Sequence, residues 1–185
     1  MTRTESRVVT TSRSGATALA GGVALAALLA ACSTKGSDHG TGPASGAELT
    51  LASGSQSTLL GRAAFESFHV KRKTDGWEMD VNAKDSLDVA VQSITFAPGG
   101  QSGWHHHPGL VLIQVVSGTM TFYESDDPTC TPIVRTAGQG YVDAGENAHI
   151  ARNESGAPAT NVVTYFAPRG APLRIDAPNP GNCPF

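Results

Sequence analysis

The chain has 185 residues, 13 of them basic and 16 acidic, for a formal net charge of −3. With no basic surplus and no basic stripe, nucleic acid is not an expected partner. Hydrophobic residues make up 39% of the chain, which suits a folded domain better than an acidic disordered segment.

Residues 1–31 read as a targeting segment. Arg3, Arg7 and Arg13 form a basic start with one acid, Glu5. Residues 16–31 are almost wholly Ala, Leu, Gly and Val, and they run into Leu29-Ala30-Ala31-Cys32. A basic start, a short apolar centre and small residues before the cut describe a secretory signal peptide. The apolar run is shorter than the roughly 20 residues that a spanning helix needs. Leu-Ala-Ala-Cys resembles a bacterial lipobox, which implies that Cys32 is lipidated and becomes the first residue of the mature chain. Cleavage elsewhere, with Cys32 incidental, is the competing reading. Acyl chains anchor a protein by burying methylenes in the bilayer. The expectation is therefore an extracytoplasmic protein, lipid-anchored to the bacterial cell membrane.

Residues 32–47 are rich in Ser, Gly, Thr and Pro and read as a flexible tether. His39 lies in it and is expected to be solvated. Residues 48–185 remain as one domain, long enough for a core.

Short strands separated by turn residues fill this domain. Leu59–Phe68 has Leu60, Ala64, Phe65 and Phe68 on one helical face, and reads equally well as a first strand. Leu87–Phe96 is rich in β-branched residues and is predicted to stop at Pro98-Gly99-Gly100. Leu110–Val116 is apolar except for Gln114, and Ser117-Gly118 turns it into Thr119–Tyr123. After a loop at Asp126-Asp127-Pro128, strands are predicted at Tyr141–Asp143, Ala148–Arg152 and Ala159–Ala167. This spacing, without a long amphipathic helix, indicates an all-β sandwich or barrel.

Two cysteines remain if Cys32 carries lipid. Outside the cytoplasm, Cys130 and Cys183 would tend to oxidise to a disulfide. That bridge would pin the Pro- and Gly-rich tail 177–185 onto a loop of the domain. A pair of free or reactive thiols is the alternative.

The stretch Gly103-Trp104-His105-His106-His107-Pro108 carries the chemistry. Strand side chains alternate, so His105 and His107 share a face and His106 takes the other. His149 lies in a second predicted strand. Three imidazoles converging from two strands make a metal site with open coordination positions, suited to Fe, Zn, Mn, Ni or Cu.

Residues 99–118 resemble the first motif of the cupin superfamily, in its single-domain form. That motif runs Gly, five residues, His-x-His, three or four residues, Glu, six residues, Gly. Gly99, His105, His107 and Gly118 fit it, but the glutamate position falls on Val111. Residues 138–153 resemble the second motif, with Gly145, His149 and Asn153 in place. Asp143 stands where that motif has proline, and the spacing from Gly145 to His149 is one residue longer than usual. The resemblance implies a cupin-like double-stranded β-helix, a jelly-roll barrel with a metal inside, and pairing of barrels into a homodimer. Family members with three histidines and no glutamate also hold metal; Val111 removes the nearest base. Gln114 would face away from Val111, and Tyr123, Glu124 and Tyr141 have no spacing argument as substitutes. Trp104 is expected to cap the barrel mouth and Asn153 to be a structural hydrogen-bonder. His69 has no partner pattern.

The functional expectations are accordingly open. One is a three-histidine metal-dependent enzyme, such as a dioxygenase, acting on a small molecule. Another is a non-catalytic module binding a small molecule or a metal. The third is a structural or interaction role in which the barrel surface matters and the pocket does not; a barrel that has lost its metal, kept as a pocket or scaffold, is the competing reading of the site.

Overall fold

The computed structural model describes residues 48–185. The expected signal peptide 1–31, the expected lipidation at Cys32 and the expected tether 32–47 fall outside the described residues. The described chain contains strands and no helix. The strands are β1 (Ser53–Phe65), β2 (Phe68–Thr74), β3 (Trp77–Ala83), β4 (Leu87–Gln101), β5 (His105–His106) and β6 (Val111–Ser117). They continue with β7 (Thr119–Glu124), β8 (Ile133–Thr136), β9 (Gly140–Asp143), β10 (His149–Arg152), β11 (Ala159–Pro168) and β12 (Ile175–Asp176).

All pairing is antiparallel and forms two runs. One run is β1-β4-β11-β6-β9, and the other contains β12, β5, β10, β7 and β8. Residues alternate between buried and half-exposed along β11, as a strand with one face on a core requires. The main core draws Ala90, Val111, Ile113 and Val163 from the first run and Phe122 and Ala151 from the second. The core thus lies between the two runs, as in a jelly-roll barrel. The expected all-β, cupin-like double-stranded β-helix is what the chain forms. The β2–β3 hairpin is a separate two-stranded sheet.

One open reading is settled and one expectation is corrected. Leu59–Phe68 takes its strand reading and is not helical: residues up to Phe65 belong to β1, paired along β4, and β2 begins at Phe68. Nor does β4 stop at Pro98-Gly99-Gly100. It bulges there and continues to Gln101, changing partner from β11 (Phe96 opposite Ala159) to β10 (Gln101 opposite Arg152). Gly99 adopts φ 74°, and a Cβ on Gly100 would come within 2.5 Å of the Gly54 carbonyl. Positive φ and close approach serve a bulge as well as a turn, and this bulge is the corner where one strand joins both runs. Asn153 secures it: its backbone N–H donates to Gly100 O (2.8 Å), and its side-chain amide donates to Phe96 O and Ala97 O (3.1 Å each).

The C-terminal tail is pinned as expected. Cys130 and Cys183 form a disulfide closing a separation of 53 residues. Asn182 adds two bonds, donating to Glu124 O (2.8 Å) and Asp127 O (2.7 Å). The Arg152 guanidinium lies 3.8 Å from the Phe185 ring centroid, within cation–π range.

Candidate metal centre

β5 and β10 are antiparallel neighbours with His105 directly opposite His149. His107 follows β5 by one residue, and the predicted alternation holds: His105 and His107 are buried, while His106 is half-buried on the other face. Ring centroids are 4.8 Å apart for His105 and His107, and 4.5 Å for His105 and His149. One nitrogen from each of the three rings lies within 4.8 Å of the others. His69 takes no part; it sits on the exposed hairpin against Asp80, 2.6 Å away.

The backbone sets the ring orientations. His105 Nδ1–H donates to Gly103 O (2.8 Å), and His107 Nδ1–H donates to Leu173 O (2.6 Å). Each ring therefore keeps an unprotonated Nε2, the form a metal needs. Burial pushes the His105 imidazolium far below the ordinary histidine range, and the neighbouring His149 adds to this. Burial likewise takes His107 down to about 4. Both rings are thus neutral at physiological pH and ready to bind a cation without first losing a proton. His149 is the most buried of the three, at 1% exposed, and neither of its ring nitrogens has an aligned hydrogen-bond partner. A buried imidazole with both nitrogens unpaired is costly. A metal on Nε2 relieves that cost, so the donor set fits the ion that the sequence implies.

One residue absent from the predicted set belongs here. Asp143 ends β9, is buried, and sits directly opposite Val111 on β6. Its Oδ1 accepts from the Gly145 N–H (2.6 Å). Its Oδ2 lies 2.8 Å from His149 Nδ1 and 3.7 Å from His107 Nε2. The short approach to Nδ1 is out of line for a hydrogen bond, and Oδ2 has no aligned partner. Burial raises the carboxyl, but His149 and the Gly145 amide outweigh it, and Asp143 stays below the usual carboxylate range. Gly145 holds this corner at φ 91°; a Cβ there would meet Gly109 O at 2.5 Å. The sequence signal was present, as an acid in the motif's proline place, but which residue it faces depends on strand register.

The remaining candidates are placed as follows. Gln114 is exposed and faces away from Val111 as expected. Glu124 ends β7 and accepts a hydrogen bond from the Tyr141 hydroxyl; burial raises the carboxyl of the first and the phenol of the second. Trp104 does not cap the barrel mouth. It is 0% exposed in a second apolar cluster with Tyr123, Ile150, Ala177 and Cys183. Alternation puts it on the opposite face of the strand from His105.

The three histidines line one wall of a cavity of about 460 Å³. Gln92, Asn161, Tyr165, Arg174, Asp176 and three serines add polar groups among the apolar side chains of the lining. Tyr165 donates its hydroxyl to Gln92 Oε1 (2.8 Å), and burial pushes its phenol up to about 12. The Asn161 side-chain oxygen is buried without a partner. A concave, mostly apolar space with a few convergent polar groups is the form of a small-molecule site.

One family model matches the stretch that carries this geometry. Residues 92–165, which include all three histidines, match the Cupin_2 family, described as a cupin domain. No curated protein matches the chain. Among solved structures, the chain is similar to the cupin domain of an XRE-family transcriptional regulator from Enterobacter cloacae, at 24% identity and TM-score 0.36, over 43% of this chain and 80% of that one. It is similar to an uncharacterised double-stranded β-helix protein from Klebsiella pneumoniae at 19% identity and TM-score 0.42, over 60% of this chain and 84% of that one. It is also similar to an oxalate oxidase at 26% identity and TM-score 0.38, over 50% of this chain and 44% of that one. The stretch that matches the cupin domain model, residues 92–165, carries the histidine cluster.

Proposed function

We propose that His105, His107 and His149 hold one divalent transition metal, and that the chain is an extracytoplasmic, lipid-anchored protein acting through it on a small molecule, as a dioxygenase does. The observation that carries this reading is the convergence of three buried imidazoles, two of them fixed by Nδ1–H bonds to backbone carbonyls. A redox-active metal on three neutral nitrogens supplies open positions for a chelating small molecule and for dioxygen. The protein's own part is to fix His105 and His107 and keep them neutral, to bring His149 beside them, and to enclose the small molecule in the adjoining cavity. The Cys130–Cys183 disulfide supports a compartment outside the reducing cytoplasm. Lipidation at Cys32 supplies the anchor.

The test is elemental analysis of the untagged full chain, made under oxidising conditions. About one equivalent of iron, copper or nickel is expected. Zinc alone would support a Lewis-acid or binding role instead. No metal, and none gained from a panel of divalent ions, would leave a metal-free barrel. For the anchor, the expected result is membrane recovery of wild type and release of Cys32→Ala into the soluble fraction.

The cavity's unpaired Asn161 oxygen also favours a second reading, a non-catalytic module that binds a polar small molecule. Ligand retention after the metal is stripped would decide for it.

A further inference from the structure

We propose that Asp143 supplies, from β9, the carboxylate that the motif lacks at Val111, and that it acts as a positioning residue through His149. The inference rests on the metal-binding reading above. Cross-strand partners in an antiparallel pair present their side chains on one face. Val111 and Asp143 are such partners, at 1% and 5% exposure. An acidic group is thus delivered to the same face of the sheet as the missing glutamate, from the neighbouring strand.

The outer contacts of the three rings complete the argument. Each Nδ1 has an oxygen beside it: Gly103 O for His105, Leu173 O for His107, and Asp143 Oδ2 for His149. Two of the three oxygens are neutral carbonyls, and only Asp143 carries charge. No lysine or arginine nitrogen lies within 4.0 Å of that charge among the described residues; its neighbours are His107 and His149. A buried anion without a cation is expensive. A dication held on His149 would offset it through the ring, and the Asp143 charge 2.8 Å from Nδ1 would favour a proton on that nitrogen and make the ring a stronger donor. The centre therefore has three neutral donors and one outer negative charge, where the motif would place the charge on the metal itself.

The test is cobalt(II) titration of the untagged, metal-stripped full chain, followed by absorption spectra, for wild type, Asp143→Asn and Asp143→Ala. Asp143→Asn keeps the volume and an oxygen for the Gly145 amide and removes the charge. We expect one cobalt per chain in wild type and 10- to 100-fold weaker binding in both variants. The cobalt bands should shift while X-ray absorption still counts three imidazole donors. Adding Val111→Glu to Asp143→Ala should restore affinity. If both variants bind cobalt as wild type does, with superimposable spectra, Asp143 is only a turn residue and the inference falls while the metal reading stands. Loss of an oxygen donor in Asp143→Asn would also overturn it, in favour of direct ligation. If wild type binds no cobalt, the metal reading fails and the inference fails with it.

Discussion

The two faces of the β5–β10 pair differ completely, although one residue separates them along the chain. On one face His105 and His149 stand opposite each other in a polar cluster. On the other, Trp104 and Ile150 pack with Tyr123 and Ala177 beneath the disulfide. The histidine face is held by hydrogen bonds and neutral rings, and it is built to receive a cation. The tryptophan face is held by apolar burial and a covalent staple, and it is built to stay shut. The same two short strands thus separate function from stability by period-2 alternation.

The sharpest way to break this comparison is on the histidine face. The double variant His105→Ala, His107→Ala is expected to lose all bound metal while keeping the wild-type far-ultraviolet spectrum. Elemental analysis beside circular dichroism reads both. A variant that unfolds would show that the cluster also carries the fold. On the opposite face, Trp104→Ala should cost roughly 3–5 kcal/mol in denaturant unfolding, with metal content unchanged in the folded fraction. The disulfide lies on the same side. Cys183→Ser should cost about 2–4 kcal/mol and make the tail 177–185 open to proteolysis, again without loss of metal.

Between pH 6.5 and about 4, acid should act chiefly on the histidine face. His107 is held down to about 4 against an ordinary 6.5. Its folded form therefore binds fewer protons than its unfolded form, and stability falls as pH drops. The loss should begin below pH 6.5 and be nearly complete for His107 near pH 4, at about 3 kcal/mol for that ring in metal-free protein. Denaturant midpoints of the stripped chain at pH 7.5 and pH 4.5 measure it. Equal midpoints would mean that the rings are more accessible to protons than their burial indicates.

Much of this was legible in the sequence. The His-x-His pair shows its shared face by alternation alone, and the glycines at 99, 118 and 145 mark real positive-φ corners. Register and distance were not legible. Asp143 could be noticed, but its pairing with Val111 depends on how β6 and β9 align. His107 is oriented by Leu173, 66 residues away. Trp104 looked like a rim residue because alternation says which face it takes and nothing of what covers that face. The β2–β3 hairpin was hidden for a different reason. Lys71, Arg72, Lys73, Glu78 and Asp80 blur its alternation, since it is exposed on both sides.

His106 provides the smallest and cleanest test of the alternation. It sits between the two inner histidines yet pairs with Ile175 on β12 and faces away from the cluster. It makes no side-chain hydrogen bond among the described residues, and its neighbours on β5 already define the strand. His106→Ala should change stability by about 0.5 kcal/mol or less, in line with a half-exposed surface position. Cobalt affinity should stay within twofold of wild type, and the bands should not move. A shifted cobalt spectrum would mean that the outward histidine reaches the metal. Alternation on β5 would then be wrong, and so would the division of labour between the two faces that depends on it.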